Sequence, residues 1–123
     1  MNALIAAALL LWGWFAPLPI TTHDAREDPA YDQVTSTAWA DEDVSTPCEI
    51  WFGARFYAIP DETHQIAIVA HEIGHCLGLP HATYPGIMRD ASFWTTPSAE
   101  DLNALRQRYP LPVRARAASI AAD

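Results

Sequence analysis

The sequence has little positive charge. Its 123 residues include seven Lys and Arg against 15 Asp and Glu, and the formal net charge is −8. Phosphate groups are bound by clustered basic side chains, so this balance argues against a nucleic-acid partner. The chain also lacks internal repeats and low-complexity tracts, and its length suits one compact domain.

Cysteine is scarce as well. Cys48 and Cys76 are too few for a disulfide scaffold, and they are not spaced as a C-x-x-C metal or redox motif. They form either one bridge in an oxidising compartment or two buried thiols in a reducing one.

The N-terminal apolar run lacks the marks of a leader. Residues 3–20 carry no charge, and their length of 18 is at the lower limit for a membrane-spanning helix. No Lys or Arg precedes the run, no A-x-A-like cleavage site follows it, and Pro17 and Pro19 interrupt a helix that would end near Phe15. The residues alone leave a leader, a membrane segment and a buried core helix open.

Extended segments and polar loops alternate after this run. The predicted order is an edge segment at 17–22, a surface loop at 23–32, a strand at 34–40, a turn at 41–47, and a strand at 48–59 interrupted near Gly53.

Two helices are predicted in the second half. The first covers residues 62–77, begins at the capping residue Asp61 and ends at Gly78. The second covers about 97–109 and is capped by Thr96. An Ala-rich tail at 111–123 follows, and we expect it to fray.

Residues 71–81, HEIGHCLGLPH, carry the chemistry. His71 and His75 are four apart, so a helix places both imidazoles on one face, where they can bind a single Zn²⁺. A reversal at Gly78 would bring His81 round as the third ligand, leaving the fourth position for water. Glu72 lies about 100° round the helix, where it can act as general base on that water.

A bare HExxH occurs by chance on many helices. Here the motif extends to HExxHxxGxxH, and Met88 follows in the short turn YPGIM, a combination that predicts a catalytic zinc site. Cys76 directly follows His75 and points away from the metal face, so we expect a structural role, such as a bridge to Cys48.

With these residues the chain resembles the matrixins, the metzincin peptidases that include the matrix metalloproteinases. Only six residues separate His81 from Met88, residues 11–20 (LWGWFAPLPI) resemble the family's LWxxxxPLxF, and residues 97–110 (PSAEDLNALRQRYP) are similar to its closing helix. The resemblance makes residues 3–16 the first helix of the domain.

The fold implied by this resemblance is α+β: a small twisted mixed sheet, a first helix, a helix carrying HExxH, a Met-turn and a C-terminal helix, all within a domain at 1–110. The implied activity is zinc-dependent endopeptidase action on a peptide or protein substrate held along a strand edge near 37–40. Met88 would lie beneath the ligands, and residues 89–94 would line the pocket. The family also suggests secretion. Structural Ca²⁺ would be consistent with it, although no motif here supports Ca²⁺.

The sequence departs from the family pattern in several places. The family's opening strand, propeptide cysteine and structural-zinc loop have no counterpart, and Ala82 and Arg89 stand where serine and tyrosine are common. The missing strand leaves open a zinc-binding but catalytically impaired metzincin remnant. The apolar residues 3–20 leave open a metallopeptidase anchored to a membrane through that segment.

Overall fold

The computed structural model describes residues 1–16, 18–28, 35–39, 48–90 and 92–109, with the backbone alone for 35–39. Helices and strands are mixed along this part of the chain, which confirms the predicted α+β class. In order they are α1 (Asn2–Leu11), β1 (Ile20–Asp24), β2 (Thr35–Trp39), β3 (Cys48–Phe52), α2 (Ala54–Tyr57), α3 (Glu62–Cys76) and α4 (Ala99–Arg108).

The three strands form a mixed sheet in the order β1-β3-β2. The central strand β3 runs parallel to β1 and antiparallel to β2. Its side chains alternate: Cys48, Ile50 and Phe52 are buried, whereas Glu49 and Trp51 are half-buried on the opposite face. One face of the sheet therefore covers the core, as the period-two pattern requires.

Two strand predictions are corrected. His23 and Asp24, predicted in a loop, lie in β1 and pair in register with Trp51 and Phe52. The strand predicted to reach residue 59 ends at Phe52, and α2 begins directly after Gly53. The chain turns inward there because Phe56 buries its ring against Phe52, with 4.5 Å between the ring centroids. The predicted turn at 41–47 lies outside the described residues.

Helix α1 ends at Leu11, earlier than predicted. Gly13 has a φ of 68°, its N–H bonds to the Leu10 carbonyl at 2.9 Å, and the Trp14 N–H bonds to the Leu9 carbonyl at 3.0 Å. This is a Schellman motif, which ends a helix at a left-handed glycine. No described helix has the length and apolar character needed to cross a membrane.

Helix α1 packs on α3, which carries the HExxH motif. Ala8 and Trp12 are buried, and the Trp12 indole Nε1 donates to the Ala70 carbonyl at 2.7 Å. The apolar N-terminal segment is thus in contact with the helix segment that directly precedes His71.

Helix α3 begins at the predicted residue, Glu62, and ends at Cys76, one residue earlier than predicted. The side chain of Asp61 accepts from the Thr63 N–H at 2.9 Å and caps the helix. At the other end, Cys76 is joined to Cys48 by a disulfide with Cα atoms 5.6 Å apart, so the last turn of α3 is tied to the start of β3.

Helix α4 is capped by Ser98 and not by the predicted Thr96. The Ser98 hydroxyl accepts from the Asp101 N–H at 3.1 Å, and the Asp101 carboxylate accepts from the Ser98 N–H at 2.8 Å. This reciprocal capping box satisfies two N–H groups at once, which a cap at Thr96 does not achieve. The predicted tail at 111–123 lies outside the described residues.

Candidate metal centre

The three predicted ligands converge. His71, His75 and His81 each offer a ring nitrogen, and these atoms all lie within 4.8 Å of one another. Two of the histidines are on one face of α3, and the third returns from the turn that follows. Within the described residues, this is the group of at least three His, Cys, Asp or Glu side chains that could hold a metal ion.

The return of the chain depends on Gly78, as predicted. Gly78 has a φ of 89°, its N–H bonds to the His75 carbonyl at 2.9 Å, and the Leu79 N–H bonds to the Gly74 carbonyl at 2.9 Å. A Cβ atom at Gly78 would overlap the guanidinium of Arg108. The positive φ favours glycine at this position, whereas the flexible end of the Arg108 side chain could move to make room for a Cβ atom.

Hydrogen bonds to backbone carbonyls orient two of the imidazoles. His71 Nδ1 donates to the Ile87 carbonyl at 2.6 Å, and His75 Nδ1 donates to the Leu79 carbonyl at 2.8 Å. A carbonyl only accepts, so each Nδ1 carries a proton, and in the neutral ring this leaves the lone pair of Nε2 for a metal. Such bonds to the second ring nitrogen are typical of metal-binding histidines.

The site is buried on one side and open on the other. His71 and His75 are half-buried, whereas His81 is exposed. Burial lowers the pKa of His75, and the neighbouring His71 and His81 act in the same direction, against the Leu79 carbonyl and Glu72. The neutral form that binds metal is therefore favoured at His75.

Glu72 follows His71 on α3 and is 6 % exposed. A carboxylate is rarely this buried without an interaction that compensates for its lost hydration. Its place beside the histidine cluster is the place that the motif predicts for a general base.

Met88 lies against the helix at the site. Its side chain is fully buried, and a Cβ atom at Gly74 would overlap its sulfur and would lie 3.0 Å from Trp12 Cζ2. Gly74 therefore leaves space for Met88 directly before His75.

Asp101 is a residue that the sequence analysis missed. Its carboxylate is fully buried and accepts from the Ile87 N–H at 2.6 Å and the Met88 N–H at 3.3 Å, as well as from Ser98. From the first turn of α4 it fixes the turn that carries Met88. The S-x-x-D spacing of Ser98 and Asp101 could have predicted the capping box, but not the contacts across the fold.

Other histidines are engaged elsewhere. His23 Nε2 lies 3.2 Å from Glu49 Oε1, and the His23 ring is stacked on Trp51 with 4.7 Å between centroids. His64 pairs with Asp61 at the exposed start of α3. Cys76 forms the disulfide with Cys48, which confirms the structural role expected for it, and it is therefore not available as a ligand.

The predicted substrate regions are described in part. Strand β2 is an edge of the described sheet, as a peptide-binding strand must be, and Ala40 lies outside the described residues. In the predicted pocket segment, Ser92 Oγ donates to the Gly86 carbonyl at 2.7 Å and accepts from the Trp94 N–H at 3.0 Å. Phe93 between them is 93 % exposed.

Comparisons of the chain with protein-family models, with curated proteins and with solved structures gave no significant match.

Proposed function

We propose that this protein is a zinc-dependent metalloendopeptidase of the matrixin-like metzincin type. The observation that supports this most directly is the convergence of three histidine nitrogens within 4.8 Å, beside the buried Glu72. The Met-turn packed against Gly74 is a second feature that this class of peptidase would have.

The donor set fits zinc. Imidazole nitrogens suit Zn²⁺, and three protein ligands are the number found in catalytic zinc sites, whereas structural sites have four. His71, His75 and His81 would hold the ion, and the exposed side at His81 would admit substrate. When bound, zinc would supply Lewis acidity that polarises the scissile carbonyl and lowers the pKa of water.

The protein's own residues carry out the proton transfer and hold the substrate. Glu72 takes a proton from the attacking water and delivers it to the leaving amine, a transfer that contributes about 10²- to 10⁴-fold to the rate. An extended peptide binds along the edge of β2 through backbone hydrogen bonds. The Cys48–Cys76 bridge supports a secreted protein, because such bridges persist in oxidising compartments.

The test is to measure zinc content and cleavage of a fluorogenic peptide library by the wild type, Glu72→Gln and Glu62→Gln. Glu62 is the matched control, since it is an exposed glutamate in the first turn of the same helix. We expect Glu72→Gln to keep its zinc and lose at least about 100-fold in kcat. Glu62→Gln should equal the wild type. Zinc binding without any cleavage by the wild type would instead support the catalytically impaired remnant.

A further inference from the structure

The buried carboxylate of Asp101 is linked by hydrogen bonds to His71 of the histidine cluster through one peptide group. The Ile87 carbonyl accepts from His71 Nδ1 at 2.6 Å, and the N–H of the same peptide group, on Met88, donates to Asp101 Oδ1 at 3.3 Å. The connection therefore runs from Asp101 through the Ile87–Met88 peptide to His71.

This arrangement has an electrostatic consequence. A hydrogen-bond acceptor on the N–H side of a peptide group polarises it and makes its carbonyl oxygen a stronger acceptor. Asp101 is fully buried, so water screens its charge little. A stronger bond at His71 Nδ1 raises the electron density of the imidazole and makes Nε2 a better metal ligand.

The same segment positions a second ligand. The Met88 carbonyl accepts from the Ala82 N–H at 2.9 Å, which fixes the chain directly after His81. His75 is held differently, by the Leu79 carbonyl within its own turn. Two of the three histidines thus depend on the segment that Asp101 anchors.

We infer that Asp101 is a positioning residue that increases the zinc affinity of the site through the Ile87–Met88 peptide, without contacting metal or substrate. This inference rests on the proposed zinc function.

If Asp101 acted only by capping α4, Ser98→Ala and Asp101→Asn would change the zinc affinity equally. Its carboxylate also accepts from the Ser98 N–H at 2.8 Å and the Ser98 hydroxyl at 3.0 Å, so it caps α4. Ser98→Ala removes the hydroxyl from this cap but keeps the charge beside Ile87 and Met88. It is therefore the control for a weakened α4.

The first experiment compares zinc dissociation constants by chelator competition for the full-length wild type, Asp101→Asn and Ser98→Ala, with thermal unfolding of the zinc-free proteins. We expect Asp101→Asn to weaken zinc binding at least about tenfold, as loss of an outer-shell partner does. Ser98→Ala should stay within about twofold of the wild type. Equal zinc affinities for the two variants would overturn the inference.

The second experiment needs no variant. In the zinc-loaded wild type, the Nδ1 proton of His71 should resonate further downfield than that of His75. The reason is that only the peptide group that accepts from His71 donates its N–H to a carboxylate. Equal or reversed shifts would overturn the inference even if Asp101→Asn fails to fold. A wild type that binds no zinc overturns the proposed function and the inference together, whereas zinc binding without these differences overturns the inference alone.

Discussion

The sulfur of Met88 occupies the space that a side chain at Gly74 would need, one residue before His75. Met88 is fully buried, and its carbonyl accepts a hydrogen bond from the Ala82 N–H at 2.9 Å. The helix that carries two of the histidines and the turn that follows the third are therefore fitted to each other at this contact.

Gly74→Ala should destabilise the protein, because the added methyl group overlaps Met88. Overpacking of this kind costs about 1–3 kcal/mol in the free energy of unfolding, measured by denaturant titration. A double-mutant cycle with Met88→Ala supplies the control, since the smaller side chain at 88 leaves room for the new methyl group. Additive effects of the two substitutions would show that the overlap does not govern the cost.

Removal of the Cys48–Cys76 bridge should lower stability. The bridge spans a sequence separation of 28, and closing a loop of this length contributes about 3–4 kcal/mol in the chain-entropy description. Thermal unfolding of the wild type with and without a non-chelating reductant, beside the Cys48→Ala/Cys76→Ala double variant, measures the loss. The double variant should be insensitive to reductant. A wild type whose unfolding does not change on reduction would contradict the prediction.

Trp12→Phe should cost more than Trp14→Phe. Both indoles are buried, but Trp12 Nε1 donates to the Ala70 carbonyl at 2.7 Å, whereas Trp14 Nε1 has no hydrogen-bond partner among the described residues. Loss of the Trp12 bond adds about 1 kcal/mol to the packing loss that the two variants share. Denaturant unfolding of the two variants measures the difference, and an equal or larger loss for Trp14→Phe would refute it.

Acid should destabilise the zinc-free protein through His75. Burial lowers the pKa of His75 in the folded state, so the unfolded chain takes up a proton there first, near the ordinary value of about 6.5. The contribution of His75 to stability is therefore complete above that pH and is lost as the pH falls toward the lower folded pKa. Denaturant midpoints between about pH 7.5 and 5.5 measure this loss. His75→Gln should show a smaller slope with pH, and an unchanged slope would contradict the assignment.

Local signals in the sequence predicted the elements nearest the site. The spacing of His71 and His75, the Asp61 cap and Gly78 all act within a few residues, and the structure has α3 and the histidine cluster as expected. The predicted end of α1 near Phe15 was wrong, because the left-handed Gly13 ends the helix several residues before Pro17.

Contacts between distant segments could not be predicted in this way. The bond from Trp12 to the Ala70 carbonyl, for example, joins residues 58 apart in the sequence. The bond from Ile87 to Asp101 likewise joins residues 14 apart in the sequence, and only the packing of α4 against the Met-turn creates it.

The central claim is zinc-dependent peptide hydrolysis at the three histidines. Zinc titration of the metal-free wild type, with bound zinc and cleavage of a fluorogenic peptide followed in the same sample, tests it most directly. We expect cleavage to rise with bound zinc and to reach a plateau at about one ion per chain, the stoichiometry of a single site with three protein ligands. Cleavage that is independent of zinc, or one bound equivalent without any cleavage, would contradict it.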